Sequence, residues 1–227
     1  MYSTQTSSTS DSRSEFITKT YLHVAGAIAA FTLIEVVLFK TGLIHNLAMS
    51  VMEYWYGVLG AFIIAGWLFS HIAHVAESKF TQYVALGAYV VIEAIIFAPL
   101  LLVAANLAGP MLIQSAAYVT LAAFAGLTAI AFITRKDFSF LKGFLLYGFV
   151  LAIIVIFGGM LFGFVPGFYF SVIMVGLAGL AILYDTSNII HHYREDQYVG
   201  AALELFASVA LMFWYVLRIA IALYAED

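Results

Sequence analysis

Seven separate stretches of this sequence are each long and apolar enough to cross a lipid bilayer, and nothing else in it restricts the fold so strongly. A hydrocarbon core about 30 Å thick takes about 20 residues of helix. The stretches are Tyr21–Phe39, Tyr54–Ala76, Phe80–Ala105, Pro110–Ile133, Leu141–Phe164, Gly167–His191 and Tyr198–Tyr224. In hydrocarbon every backbone polar group needs a partner within the protein, and the alternation of a β-barrel strand is absent. The expected fold is therefore an all-α integral membrane protein, a seven-transmembrane-helix bundle. Composition agrees, with 64% hydrophobic and 10% charged residues. An ordinary soluble domain is about a quarter charged, because water has to wet its surface.

The ends of the spans carry the expected punctuation. Tyr54-Trp55-Tyr56 and Phe168-Tyr169-Phe170 suit the headgroup region, where amphipathic rings concentrate. Gly109-Pro110 and Pro166-Gly167 mark turns between spans. Small residues recur inside the spans, such as Gly57, Gly60, Gly158, Gly159, Gly176 and Gly179, and they allow close helix approach in lipid. Residues 1–16, rich in Ser and Thr without an apolar core or cleavage site, read as a disordered cytoplasmic tail. A single transmembrane domain then occupies 17–227.

Basic residues set the expected orientation. With the N-terminus inside, Arg13, Lys19, Lys79, Arg135, Lys136, Lys142 and Arg194 fall on the cytoplasmic side, and only Lys40 and Arg218 on the outer half. This bias implies a cytoplasmic N-terminus and an outer C-terminus in a multi-pass plasma-membrane protein. The net charge of −4 gives no reason to expect nucleic acid as a partner. With no cysteine, disulfides and thiolate metal sites are excluded. No glycine-rich phosphate loop, G-x-S-x-G elbow or zincin motif is present, so neither an enzyme nor a resident cofactor is expected.

Acidic groups inside apolar runs are costly and mark candidate sites. Glu35 lies near the outer end of the first span, five residues from Lys40, and is expected at the interface. Glu93 lies mid-span in AYVVIEAIIFAPLL with Pro99 less than two turns on, and lining a path or bonding, protonated, to a neighbouring helix are equal readings of it. Asp185 ends an uncharged run from Gly167 to Tyr184, with Asn188 at i+3 on the same helix face. Glu204 and Ser208 share one face of the seventh span. The sixth and seventh spans are consecutive and antiparallel, so Asp185 and Glu204 can meet. Two carboxylates in a partly dry setting would share a proton. The histidines His71, His74, His191 and His192 lie at span ends and read as polar caps, which helix C-termini favour.

Three stretches carry a resemblance to a known family. They are TRKDFSFLKGFL (134–145), AILYDTSNIIHHYREDQYVGAALELF (181–206) and IEAIIFAPLL (92–101). The chain resembles bacterial members of the Bax inhibitor-1 (transmembrane Bax inhibitor motif) family over residues 16–224. The resemblance implies a central hydrophobic helix surrounded by six others. It also implies, for some members, a pH-sensitive calcium leak controlled by two aspartates near the cytoplasmic mouth. Asp185 matches the first aspartate. Ser208 stands where the second is implied, and His71 and His74 lie where some members carry a partnering arginine. These spellings resemble a proteobacterial branch associated with a membrane-anchored AAA protease.

Two functions follow as expectations. The first is a Ca2+ leak gated at Asp185, assisted by Glu204, Ser208 and Asn188, with Glu93 lining the path. Ca2+ is then the permeant ion, met by a weak site at Asp185 rather than held in an acidic cage. The second is a regulatory protein that modulates the AAA protease through the tail 1–16. The lipid bilayer is the partner in both.

Overall fold

A computed structural model describes the backbone of residues 3–226 and the side chains of residues 12–225. Among the described residues the chain is helical with no strand. The elements are α1 (Ser3–Thr41), α2 (Leu43–Glu53), α3 (Trp55–Val75), α4 (Lys79–Ala108), α5 (Pro110–Thr134), α6 (Leu141–Phe162), α7 (Phe168–His191), a 3-10 turn at Glu195–Gln197, and α8 (Tyr198–Glu226). Seven of these helices are long and apolar enough to cross a membrane, namely all but α2. They coincide with the seven expected spans, and most boundaries agree within three residues.

Two differences stand out. The helix α1 runs from Ser3, so the stretch expected as a disordered tail is helical from that residue. Residues 1 and 2, and the side chains of 1–11, lie outside the described residues. The helix is anchored from Ser12 and Arg13 onward by contacts to the last turn of α7 and the segment after it, which hydrophobicity alone does not reveal. The second difference is α2, 11 residues between the first two spans. It buries Ile44, Ala48 and Val51, a spacing that places them on one side of a helix. At 11 residues it is too short to register as a span.

The chain divides into two compact units, one of residues 1–99 and 189–206 and the other of residues 100–188 and 207–227. In the first unit, Phe31 of α1 packs edge-on to Phe97 of α4 with ring centroids 5.1 Å apart. Phe206 of α8 meets both Phe31 and Tyr89 in the same edge-on manner, an arrangement the aromatic quadrupole favours. In the second unit, Leu141, Leu145 and Ala152 of α6 cluster with Met174, Leu177 and Ala181 of α7 and Tyr215 of α8.

Burial is distributed as a lipid solvent requires. Trp67, Ile133, Phe162 and Tyr169 are largely exposed, whereas Thr20, Glu93, Thr120, Ser171, Asp185, Thr186, Ser187 and Asn188 are buried. Two buried threonine hydroxyls inside spans donate to the carbonyl one turn back, Thr20 to Phe16 and Thr120 to Ala116, whereas the buried Thr128 hydroxyl of α5 has no hydrogen-bond partner among the described residues. Such bonds keep the hydroxyl satisfied where water is absent. α4 continues through Pro99, which lacks the N–H of a regular turn.

Helix ends follow local chemistry. Gly163 closes α6 at φ 73°, a left-handed conformation that glycine adopts without a Cβ clash. The following Phe164 N–H donates to the Gly159 carbonyl at 3.0 Å. Arg135 closes α5 at φ 50°, the positive-φ residue other than glycine among the described residues.

Candidate functional site

In the second unit the buried polar centre lies on α7. Asp185 is 6% exposed and Ser208 is 9% exposed. The Ser208 hydroxyl, on α8, donates to Asp185 Oδ2 at 2.5 Å. That length falls in the range of O–H···O⁻ bonds, which are stronger than neutral ones. Thr186, Ser187 and Asn188 continue the buried polar run, and Asn188 lies one turn beyond Asp185. The Ser187 hydroxyl accepts the Phe138 N–H at 2.8 Å, which ties the segment between α5 and α6 to this end of α7. The serine found where a second aspartate was implied thus touches the matched aspartate directly.

The first unit holds a second centre around Glu204 of α8. His74 Nε2 lies 2.8 Å from Glu204 Oε1, and Ser70 of the same α3 helix donates to that oxygen at 3.3 Å. The Tyr193 hydroxyl donates to Glu204 Oε2. The Tyr193 ring stacks on His74 with centroids 5.3 Å apart and planes 16° apart. Both oxygens of the carboxylate are therefore engaged, and the histidine is held by its carboxylate and by a ring. A Cβ added at Gly200 would come within 2.6–2.8 Å of the His74 ring. Glycine at that position lets the imidazole reach Glu204.

Beside this centre, Arg194 pairs with Asp196 through two nitrogens at 3.1 and 2.9 Å, which pushes its pKa up. The Lys79 ammonium donates to the Asp196 carbonyl and lies 4.6 Å over the Tyr198 ring. Tyr198 and Tyr83 share a hydroxyl contact of 2.8 Å.

The remaining acids also have definite places. Glu93 accepts the Tyr89 hydroxyl at 2.7 Å within α4, both side chains being buried. This is a bond one turn apart on a single helix, not one to a neighbouring helix. Glu35 is only 6% exposed, and neither of its carboxyl oxygens has a hydrogen-bond partner among the described residues. This burial differs from the solvation expected of it at the interface. Asp185 and Ser208 are brought together, with Asn188 on the same face. Glu204 has His74, Ser70 and Tyr193 as partners.

The sequence reading missed the roles of His74, Ser70, Tyr193 and Arg13. His74, expected as a polar cap of its helix, is a partner of Glu204. The signal available was the histidine pair falling where an arginine partner was implied.

All-helical architecture, seven bilayer-length apolar helices and ionisable groups buried within them define a multi-pass integral membrane protein. The family model described as inhibitor of apoptosis-promoting Bax1 matches residues 13–224, and the chain belongs to this Bax inhibitor-1 family. It is 34% identical over 113 residues to Bax inhibitor 1 of Schizosaccharomyces pombe, a match covering 48% of this chain and 41% of that protein. It is also 34% identical over 113 residues to an uncharacterized protein of Pseudomonas aeruginosa, covering 49% of this chain and 50% of the relative. The matches span half or less of each relative's length.

Proposed function

We propose that the protein is a pH-sensitive cation leak of the bacterial inner membrane, with Ca2+ as the permeant ion and Asp185 as the gating carboxylate. The observation that carries this reading is the buried bond from Ser208 to Asp185. A carboxylate is an oxygen ligand suited to a hard cation, and its charge draws cations into a low-dielectric path. A proton on the same group cancels that charge, so occupancy by protons and by cations is mutually exclusive. The Ser208 hydroxyl steadies the charged form by donating to it, and Asn188 offers a further oxygen on the same helix face.

Among the described residues no group of three or more His, Asp or Glu side chains converges as a metal site. The reading is therefore of a passing ion that keeps much of its water, not of a held one. Glu204 and Glu93 are the further acids whose substitution bears on the path. In this orientation the N-terminus faces the cytoplasm and the C-terminus the outside, following the distribution of Lys and Arg.

The test is Ca2+ entry into proteoliposomes loaded with a calcium dye. Native protein should give an entry rate that changes with pH, and Asp185→Asn should remove that response. An unchanged pH response in the variant would remove Asp185 as the gate.

A further inference from the structure

Arg13 spends its guanidinium on backbone carbonyls at the end of α7. Nη2 donates to Ile189 O at 2.6 Å, Nε to Ile190 O at 3.2 Å and Nη1 to Tyr193 O at 2.5 Å. Ile189 and Ile190 lie in the last turn of the helix, where carbonyls have no intrahelical donor. A cation there also meets the negative end of the helix dipole. The neighbouring Ser12 hydroxyl donates to Glu195 Oε1 at 2.7 Å. Phe16, one turn further along α1, is 1% exposed and supports the guanidinium, which sits 4.8 Å from its ring centroid.

These two grips fall on either side of one residue. Tyr193 has its carbonyl held by Arg13, its ring against His74 and its hydroxyl on Glu204. Glu195, two residues on, is held by Ser12. Tyr193 lies between α7 and α8, outside regular helix, so no helical hydrogen-bond ladder fixes it. Its carbonyl, ring and hydroxyl contacts help to set its position, and α1 supplies one of them. We propose that the start of α1 is a strap that holds Tyr193 against Glu204, whose side chain is 31% exposed, and that releasing Ser12 and Arg13 widens the access of water to Glu204 on the side of the N-terminus. The strap acts on the first unit and requires no ion flux, so it stands or falls apart from the leak reading.

Cysteine accessibility tests this, because the 227-residue sequence contains no cysteine. Ser70→Cys puts a thiol on the hydroxyl position that touches Glu204. The full-length protein in lipid nanodiscs is treated with a water-soluble maleimide, and the rate is compared with and without Arg13→Gln. Loss of charge-assisted bonds from Arg13 should speed labelling at position 70 about tenfold. Arg13→Lys should fall between the two, since a single ammonium cannot span three carbonyls in a fork. Ala104→Cys, at a fully buried position, and Ser139→Cys, at an exposed one, should label at the same rates with or without Arg13→Gln. An unchanged rate at position 70 would overturn the strap. A parallel rise at position 104 would also overturn it, by making Arg13 a general stabiliser of the fold.

Discussion

Ser208 of α8 donates its hydroxyl to Asp185 of α7 across 2.5 Å, and both side chains are buried. Removing that donor leaves Oδ2 of the buried Asp185 side chain without it. Ser208→Ala should therefore destabilise the protein by about 1–3 kcal/mol, read as a lower thermal midpoint in detergent. Ser208→Thr keeps the hydroxyl and should cost clearly less. Equal midpoints for the native chain and Ser208→Ala would show that the bond contributes nothing net.

Glu204 and His74 should be energetically coupled. Each touches the other and a shared neighbour, Tyr193. In a cycle of Glu204→Gln, His74→Phe and the double variant, the interaction energy should be about 0.5–3 kcal/mol. Denaturation in mixed micelles at fixed pH supplies the three differences. Strict additivity would mean that the contact carries no coupling.

Gly200→Ala should displace the imidazole. Its new Cβ would lie 2.6–2.8 Å from three atoms of the His74 ring, a rigid group that must move as a whole. Overpacking of this kind costs about 1–3 kcal/mol. In the background of His74→Ala the same change should cost much less, because the obstructing ring is gone. Thermal midpoints of the four chains measure this, and an equal cost in both backgrounds would contradict it.

Gly159 and Gly148 should respond differently to the same added methyl. At Gly159 the Cβ meets the backbone carbonyl of Phe164, whereas at Gly148 the nearest atoms are the methyl ends of Leu177. A leucine can change rotamer, but the carbonyl belongs to the turn that closes α6. Gly159→Ala should lower stability by about 1–3 kcal/mol and Gly148→Ala by less. The reverse order in a detergent melt would contradict this account of how α6 ends.

The spans were legible because bilayer thickness imposes a length and polarity that few other contexts require. α2 was not, since its burial rests on Ile44, Ala48 and Val51 alone, a pattern too short to distinguish from a loop. Asp185 was legible for the opposite reason, as one carboxylate ending a long uncharged run is conspicuous in any apolar sequence. Its contact with Ser208 followed only in outline, from adjacent antiparallel helices.

The Glu204 centre was not legible beyond the acid itself. His74 and Ser70 reach it from a helix about 130 residues earlier in the chain. Tyr193 reaches it from the segment between two helices. Tertiary contacts of this range leave no periodic trace in a single sequence. Arg13 is conspicuous in the sequence only as a basic residue, and its carbonyl partners depend on where α7 ends.

Ion flux measured across neutral pH is the direct test of Asp185 as the gate. Native protein, Asp185→Asn and Glu204→Gln should be reconstituted at equal density and followed by calcium dye. The account predicts a pH-dependent Ca2+ flux in the native chain that loses its pH response in Asp185→Asn. Glu204→Gln, measured in parallel, reports what the second acid adds. A real flux whose pH response is the same in Asp185→Asn as in the native chain would contradict the gate.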